Sequence, residues 1–255
     1  MAPLSPGRFF GYDAAMFRTV LLTGTDHGLG AALACRLADQ GSMVFAGVLK
    51  PPTGPAVEPR ASGGSIRRLV VDIGRDDSVT TALAAIREQN DRLDLVINNG
   101  AILGDIKRNA LDPLPLDYDE MLRVYNVNVL GSLRLSQACL PLLLAGDAPL
   151  IVNISSEAGS IAACWRDSWY AYAMSKAALN MQSALLHNLL KPKGGRVLVL
   201  HPGHVRTFMQ GALDATGALS PEESADLVIA NIERSGQLSG DHPAFLGPNG
   251  EKLPW

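Results

Sequence analysis

The chain has 255 residues, of which 47% are hydrophobic and 18% are charged, and its formal net charge is −3. This length fits one α/β domain or two small ones, and the composition allows a sizeable buried core. The net charge gives no reason to expect nucleic-acid binding, which calls for a basic patch. The three cysteines have neither the spacing of a metal site nor that of a disulfide framework.

The cysteines and the N-terminus bear on where the chain resides. Cys35, Cys139 and Cys164 are scattered along the sequence. This pattern favours a reducing compartment, so we expect a cytoplasmic protein. No apolar run approaches the roughly 18 residues of a membrane span, and the N-terminal segment lacks the charged and apolar regions of a signal peptide. We expect residues 1–16 to form a loose arm and residues 17–255 to form one domain.

Six short apolar runs predict the strands of the domain. They are apolar on both strand faces, which is typical of strands buried in a parallel sheet. The runs are TVLLT (19–23), MVFAGV (43–48), IRRLVV (66–71), LDLVI (93–97), LIVNIS (150–155) and RVLVL (196–200).

Helical patterns separate most of these runs, and another follows the last one, with Ser220 as its N-cap and Pro221 at its first position. Strand–helix alternation predicts a single-domain α/β fold, a Rossmann-like doubly wound parallel sheet with helices on both faces. Segment 50–64 breaks the alternation, because it contains four prolines and three glycines. It is predicted to be a loop where a crossover helix could lie.

The first predicted strand runs into a glycine-rich turn, TGTDHGLG, with Gly24, Gly28 and Gly30. Such a turn between a strand and a helix lets backbone N–H groups reach a pyrophosphate, and the helix N-terminus adds its positive end. The spacing is G-x3-G-x-G rather than the general G-x-G-x-x-G. Glycines that merely turn the chain are the alternative explanation at this point.

Further polar motifs follow later strands in order. Asp72 follows the third strand, where it can accept from an adenine amino group, and NNGA (98–101) follows the fourth. SS (155–156) follows the fifth strand, and HPGHVRT (201–207) follows the sixth. Ligands of an open parallel sheet bind beyond the carboxyl ends of its strands. All these motifs are therefore expected at one edge of the sheet.

From about Thr19 to the C-terminus, the chain resembles the short-chain dehydrogenase/reductase family. The motifs that carry the resemblance are Thr23-Gly24-x3-Gly28-x-Gly30, Asn98-Asn99-Gly100-Ala101, Asn128, Ser156, Tyr172-x3-Lys176 and Pro202-Gly203. One departure is Asn-Asn-Gly-Ala where the family usually has Asn-Asn-Ala-Gly, which puts the local turn in question. The YAYAMSK wording, the long Ser-to-Tyr spacing and the ending GEKLPW resemble the sniffer and C-factor branch of carbonyl reductases.

Two tyrosines, Tyr170 and Tyr172, precede Lys176. On a helix, Tyr172 and Lys176 lie one turn apart on one face, whereas Tyr170 points well away from the lysine. A lysine charge at ~4 Å is expected to favour the phenolate by roughly 4 kcal/mol before screening and burial. Geometry therefore selects Tyr172, and we expect its pKa to be lowered from its usual value near ~10.

The resemblance implies a catalytic set of Asn128, Ser156, Tyr172 and Lys176. Tyr172 would exchange the proton, Ser156 would hydrogen-bond the substrate oxygen, and Lys176 would hold the ribose hydroxyls of the nicotinamide. Asn128 would tie Lys176 to a water chain. The family's Asn-x-x-Gly spacing to Gly131 selects Asn128 over its neighbour Asn126.

The resemblance also implies that residues 17–255 bind a nicotinamide dinucleotide. The residues expected to contact it are Gly24, Thr25, His27, Gly28, Leu29, Gly30, Lys50, Asp72, Ile73, Asn99, Gly100, Ala101, Tyr172, Lys176, Pro202, Gly203, Val205 and Thr207. Thr207 is expected to contact the nicotinamide carboxamide.

The end of the second strand bears on the choice of cofactor. An NAD-selective site has an acid there that holds the ribose 2′-hydroxyl. Val48 occupies that position, and no Asp or Glu is near it in sequence. The cations Lys50 and His27 are the candidates for binding a 2′-phosphate. We therefore expect NADP(H) to be favoured over NAD(H).

The expected substrate side is the long Ser-to-Tyr segment, which includes Trp165, Trp169 and Cys164. The two tryptophans either form an apolar wall for the substrate or pack at a surface or subunit contact. The segment after Thr207 is the other expected source of specificity. Neither of these two segments identifies the substrate.

The function that the resemblance implies is hydride transfer between a nicotinamide cofactor and a carbonyl or secondary alcohol. The alternative is a nucleotide-binding signalling or scaffold protein that retained the fold. The intact Asn-Ser-Tyr-Lys set favours catalysis, because a binding protein needs neither Tyr172 nor Ser156. The resemblance also implies a homo-oligomer, a dimer or tetramer paired through the helices of residues 116–144 and 172–190. We expect no metal, nucleic-acid or membrane partner.

Overall fold

The computed structural model describes residues 16–52, 54–105, 111, 115–209, 211–238 and 240–255. All of the expected N-terminal arm except Met16 lies outside these residues. Over the described part of the chain, the fold is one α/β domain built on an eight-stranded sheet. The predicted fold class is confirmed.

The sheet has the order β3-β4-β2-β1-β5-β6-β7-β8, and every strand is parallel to its neighbours except β3, which is antiparallel to β4. The six predicted strands are present, with ends displaced by up to two residues. The three-residue strands β3 and β8 are additional. The strands are β1 Thr19–Thr23, β2 Met43–Val48, β3 Val57–Pro59, β4 Ser65–Val70, β5 Leu95–Asn98, β6 Leu150–Ile154, β7 Arg196–Leu200 and β8 Ala244–Leu246.

In the described part of the chain, six α-helices flank the sheet. The last of them begins with a capping box, in which Ser220 Oγ accepts from the backbone N–H of Glu223 and the Glu223 carboxylate accepts from that of Ser220. The helices are α1 Gly28–Asp39, α2 Asp76–Arg87, α3 Tyr118–Tyr125, α4 Ser132–Leu144, α5 Tyr170–Leu190 and α6 Pro221–Arg234.

The Pro-rich segment 50–64 contains no helix among its described residues, as predicted, but it does contain β3. Proline is tolerated in edge strands because it donates no ladder hydrogen bond there. Pro59 ends β3 at the outer edge of the sheet, opposite Ser65 of β4. The segment thus covers the edge of β4 instead of forming a crossover helix.

The core lies in two layers, one on each face of the sheet. Val20 and Leu22 of β1 face one layer, which α1 and α6 complete, while Leu21 faces the other, which α2, α4 and α5 complete. Alternate residues of one strand are therefore buried under different helices, which explains why the central strands are apolar on both faces.

Residues 118–144 form one continuous helical stretch that is interrupted by a turn of π-helix, Asn126–Gly131. By length and composition alone this stretch could cross a membrane, since an 18-residue window has a mean hydropathy of 1.3. Polar residues such as Asn128, Arg134 and Gln137 interrupt the stretch, so it is not an unbroken apolar run. Half of the window is buried inside the domain, where α3 packs on α5 and α4 packs on α2, as in a core helix.

Candidate active site

The glycine turn between β1 and α1 is closely packed. Gly24 and Gly28 have positive φ values of 69° and 60°, which favour glycine. A Cβ on Gly30 would lie 2.0 Å from the carbonyl oxygen of Gly24 and 2.6 Å from Asn99 Nδ2. Each of the three glycines therefore has a steric reason, and the turn brings the first residues of α1 against the end of β5.

This turn has the features of a phosphate cradle. His27, the N-cap of α1, makes no side-chain capping hydrogen bond, and the first turn of α1 contains no acidic residue. The backbone N–H groups of that turn are thus left without a side-chain cap, and the helix dipole adds positive potential there. The site therefore fits the pyrophosphate of a dinucleotide.

Asn99 joins the glycine turn to the end of β5. Its Nδ2 donates to the carbonyl oxygens of Thr23 and Gly24, at 2.9 and 3.1 Å. Thr23 Oγ1 accepts from the backbone N–H of Asn99 and of Gly100, at 3.2 and 3.1 Å. A Cβ at Gly100 would meet its neighbours at 3.4 Å or more, an ordinary contact. The position can hold either glycine or alanine, so the exchanged order Gly100-Ala101 leaves the turn intact.

Asp72 and Ile73 follow β4 at the same edge. Asp72 Oδ1 accepts from the backbone N–H of Gly74, and Ser78 Oγ accepts from the backbone N–H of Asp72, both at 2.8 Å. Ile73 is buried and packs against Gly131 of the π-helical turn and Gly100. The Asp72 side chain is thus fixed by its own turn.

Asn128 lies on the π-helical turn and joins three elements. It accepts from the backbone N–H of Ile102 and donates to the Ile102 carbonyl, both at 2.8 Å, and it donates to Ser175 Oγ on α5 at 3.0 Å. Asn126 instead donates to the carbonyl of Gly74. The structure thus brings Asn128, rather than Asn126, to the helix that carries the tyrosine and the lysine.

Tyr172 and Ser156 lie together at the end of β6. The Tyr172 phenol lies close enough to the Ser156 hydroxyl for the hydroxyl to affect its pKa, and Ser156 Oγ accepts from the backbone N–H of Ala158 at 3.1 Å. Lys176 Nζ lies 5.5 Å from the centroid of the Tyr172 ring and donates to the carbonyl of Ile154 at 2.9 Å. All three side chains are buried. Tyr172 is thus the tyrosine that contacts both the serine and the lysine.

The expected lowering of the Tyr172 pKa does not occur in this structure. Burial raises the pKa of Tyr172 to about 12, opposed by the hydrogen bond from Ser156; the Glu157 carboxylate adds to the increase and Arg166 opposes it. Burial also lowers the pKa of Lys176 to about 8. The reason is that removal from water disfavours the charged form of both groups.

An ion pair organises the segment between Ser156 and Tyr172. Arg166 donates to both carboxylate oxygens of Glu157, at 2.7 and 2.6 Å. Its guanidinium carbon lies 4.4 Å from the ring centroid of Trp165 and 5.4 Å from that of Trp169. The Trp169 ring meets Tyr172 edge to face at 6.3 Å. Trp169 therefore packs against the candidate catalytic tyrosine.

Residues 161–165 of this segment are exposed. Trp165 is 77% exposed, and Cys164 is exposed as well. The segment is also attached to the end of the chain, because the backbone N–H of Ala162 donates to the Trp255 carbonyl at 2.9 Å.

The HPGHVRT motif lies across the glycine turn. Gly203 has a φ of 86°, Pro202 accepts from Ser224 Oγ at 2.7 Å, and Val205 pairs with Leu219. The Thr207 methyl group lies 3.3 Å from the place a Cβ on Gly28 would take. The His27 ring meets Phe208 at 6.0 Å, so the motif and the glycine turn are in contact.

Sequence reasoning missed Asp26, which contributes a carboxylate to the end of β2. It accepts from the backbone N–H of Leu49 at 3.0 Å. The expectation that no acid lies near Val48 is correct for the neighbouring sequence positions. It is wrong for the folded chain, where Asp26 contacts the next residue, Leu49. The residue is visible in the TGTDHGLG motif, but only the pairing of β1 with β2, with Thr23 opposite Gly47, places it beside Leu49.

The described residues include no group of three or more His, Cys, Asp or Glu that could hold a metal ion.

The sequence model of a protein family, described as short chain dehydrogenase, matches residues 18–217. The chain belongs to the short-chain dehydrogenase/reductase family. It is an oxidoreductase of this family, and the family resemblance of the sequence motifs is confirmed.

Two curated relatives of this short-chain dehydrogenase/reductase illustrate the range of the family. The 1-hydroxy-2-glutathionyl-2-methyl-3-butene dehydrogenase of Rhodococcus sp. (strain AD45) is 32% identical over 240 residues, which cover 89% of this chain and 98% of the relative. The C-signal protein of Myxococcus xanthus is 35% identical over 170 residues, which cover 64% of this chain and 93% of that protein.

Among solved structures, the NADPH-bound carbonyl reductase from chicken fatty liver superimposes with a TM-score of 0.76. It is 27% identical, with 93% of this chain and 99% of that chain covered. The carbonyl reductase Sniffer of D. melanogaster has the same fold, with a TM-score of 0.76, 23% identity and coverage of 93% and 99%. The name Sniffer, to which the sequence motifs pointed, thus occurs among the proteins of similar fold.

Proposed function

We propose that this short-chain dehydrogenase/reductase reduces a carbonyl compound, or oxidises the corresponding secondary alcohol, with Tyr172 as the general acid and base. The observation that carries the proposal is the buried cluster of Tyr172, Ser156 and Lys176 at the end of β6, with the lysine Nζ 5.5 Å from the centroid of the tyrosine ring. The NADPH-bound carbonyl reductase of similar fold supports the same reaction class.

The raised pKa of Tyr172 suits the reduction. A phenol with a pKa of about 12 is protonated at neutral pH, so it can donate the proton that the reduced carbonyl oxygen requires. Ser156 Oγ hydrogen-bonds that oxygen and orients it toward the phenol. Lys176 has a pKa of about 8 and is mostly charged at pH 7, so it stabilises the phenolate that remains after proton transfer.

The nicotinamide cofactor supplies the hydride when it is bound. Gly24, Gly28 and Gly30 would hold its pyrophosphate, and Asp72, Asn99, Pro202 and Thr207 line the same sheet edge. We propose NADP(H) as the favoured form. Support comes from the NADPH bound to the similar carbonyl reductase and from the exposed Lys50 just beyond β2.

We propose a homo-oligomer as the functional unit, formed through the outer faces of α3 and α5. Met174, Met181 and Leu185 of α5 are 56–64% exposed, and Tyr118 and Leu122 of α3 are 70% and 68% exposed. The two helices pack against each other, so these side chains form one apolar surface. Such a surface is typical of a protein contact.

The second candidate function is a nucleotide-binding signalling protein, favoured by the similarity to the C-signal protein of M. xanthus. A cofactor-oxidation assay separates the two. The purified protein is mixed with NADPH and a panel of aldehydes and ketones, and absorbance is followed at the nicotinamide band. Substrate-dependent oxidation supports the reductase; NADPH binding without turnover of any compound in a broad panel supports the binding protein.

A further inference from the structure

Asp26 belongs to the glycine turn, yet its carboxylate lies at the carboxyl end of β2. Both oxygens lie 3.0 Å from the backbone nitrogen of Leu49, and Oδ1 lies 3.4 Å from that of Lys50. These are the two residues that follow the last residue of β2, Val48. The turn is fixed to the same strand by Thr25, whose backbone N–H and Oγ1 both donate to the Gly47 carbonyl at 3.0 Å.

This strand end is where a dinucleotide-binding sheet recognises the ribose 2′ position. An acid in this place accepts from the 2′-hydroxyl of NAD, whereas a cation nearby accommodates the 2′-phosphate of NADP. The position of that acid in sequence is held by Val48, which is buried. Asp26 brings a carboxylate to the same strand end from a different element, and Lys50 brings a cation two residues beyond Val48.

We propose that Asp26 is a specificity-determining residue for the cofactor: its carboxylate disfavours a 2′-phosphate and can accept a hydrogen bond from a ribose 2′-hydroxyl. The inference rests on the proposed function, which places a nicotinamide dinucleotide at this sheet edge. Asp26 and Lys50 act in opposite directions on NADPH. The preference of the wild type for NADPH is therefore small, and removal of the Asp26 charge increases it.

The test measures the Kd of NADH and of NADPH by calorimetry, without substrate, for the wild type and two variants. Asp26→Asn removes the charge and keeps one oxygen that can accept from the Leu49 N–H. Asp39→Asn is the matched control, because Asp39 ends the same helix α1 at the opposite side of the sheet. Both variants lose one negative charge.

We expect Asp26→Asn to raise the ratio of the NADH Kd to the NADPH Kd about tenfold, mainly through tighter NADPH binding, and Asp39→Asn to leave it within about twofold. An unchanged ratio in Asp26→Asn, or an equal shift in Asp39→Asn, overturns this inference and leaves the proposed function standing. If Asp26→Asn does not fold, Asp26→Ser replaces it with the same expectation, since a hydroxyl can also accept from Leu49. A wild type that binds neither dinucleotide overturns the proposed function and the inference with it.

Discussion

Lys176 Nζ lies 5.5 Å from the ring centroid of Tyr172 and is held by the Ile154 carbonyl at 2.9 Å. Among the described residues, Lys176 forms no ion pair that would compete with its interaction with the phenol. Because burial affects both groups, the tyrosine stays protonated and the lysine titrates close to physiological pH. This relationship leads to the first prediction.

The rate of carbonyl reduction should fall as the pH rises through about 8. The charged form of Lys176 is fully present below its pKa of about 8 and is lost above it, and with it the stabilisation of the phenolate. The measurement is kcat/KM for reduction between about pH 6 and pH 10. We expect the profile to have a falling limb above about pH 8, with a tenfold decrease per pH unit. Lys176→Gln should be slow and should lack this limb; a limb of the same position in that variant contradicts the assignment.

Arg166 should matter for turnover more than for cofactor binding. Arg166→Met keeps much of the side-chain volume but leaves the Glu157 carboxylate unpaired near Tyr172 and removes the contacts with Trp165 and Trp169. We expect kcat/KM for the carbonyl substrate to fall roughly tenfold, with the NADPH Kd unchanged.

Glu157→Gln and the double variant complete the Arg166 test. If the two residues act as a pair, the double variant is no slower than Arg166→Met alone, because the pair is already broken. Tryptophan fluorescence should change in Arg166→Met, since Arg166 lies over two of the three tryptophans. Additive losses in kcat/KM, or weaker NADPH binding, would show that Arg166 has a different role.

Lys50→Gln should reduce the preference for NADPH over NADH by about threefold, because an exposed phosphate–lysine contact is modest in strength. The contribution should also disappear at high salt, since exposed charges are screened over about 8–10 Å at physiological ionic strength. Lys191→Gln, at the far end of α5, is the control. The ratio of the two Kd values at low and high salt checks both statements, and a Lys50 variant with the wild-type ratio at low salt excludes this lysine.

Met181→Glu should shift the protein to a smaller assembly. The side chain is 64% exposed on α5, and a carboxylate there would be desolvated in a subunit contact. Light scattering after size exclusion measures the mass. Val57→Glu, on the edge strand β3, is the control; a wild-type monomer, or an equal effect of the control, rules out this surface as the subunit contact.

The sequence predicted the elements that depend on local pattern. The central strands were identified because residues such as Val20 and Leu21 are buried on opposite faces of a doubly covered sheet. The strands β3 and β8 were missed, since three residues carry no detectable period. The π-helical turn at Asn128 was also missed, because its sequence has the same apolar pattern as the α-helices around it.

The site could be predicted only as far as it follows strand order. Ser156, Tyr172 and Lys176 were identified from their motifs, and the fold brings them together. The contact of Asp26 with Leu49 depends on the pairing of β1 with β2, and the raised pKa of Tyr172 depends on burial. Trp169, which among the described residues is the one non-glycine with a positive φ, at 63°, has no local signal that predicts this backbone.

The most direct test of the account compares Tyr172→Phe with Tyr170→Phe, two variants that each lose one hydroxyl from the same turn of α5. With NADPH and a carbonyl substrate of the wild type, Tyr172→Phe should lower kcat by roughly 10²–10⁴ while the NADPH Kd is preserved, as the loss of a general acid requires. Tyr170→Phe should retain nearly full activity. Wild-type kcat in Tyr172→Phe, or the large loss in Tyr170→Phe instead, would contradict the assignment of Tyr172 as the proton donor.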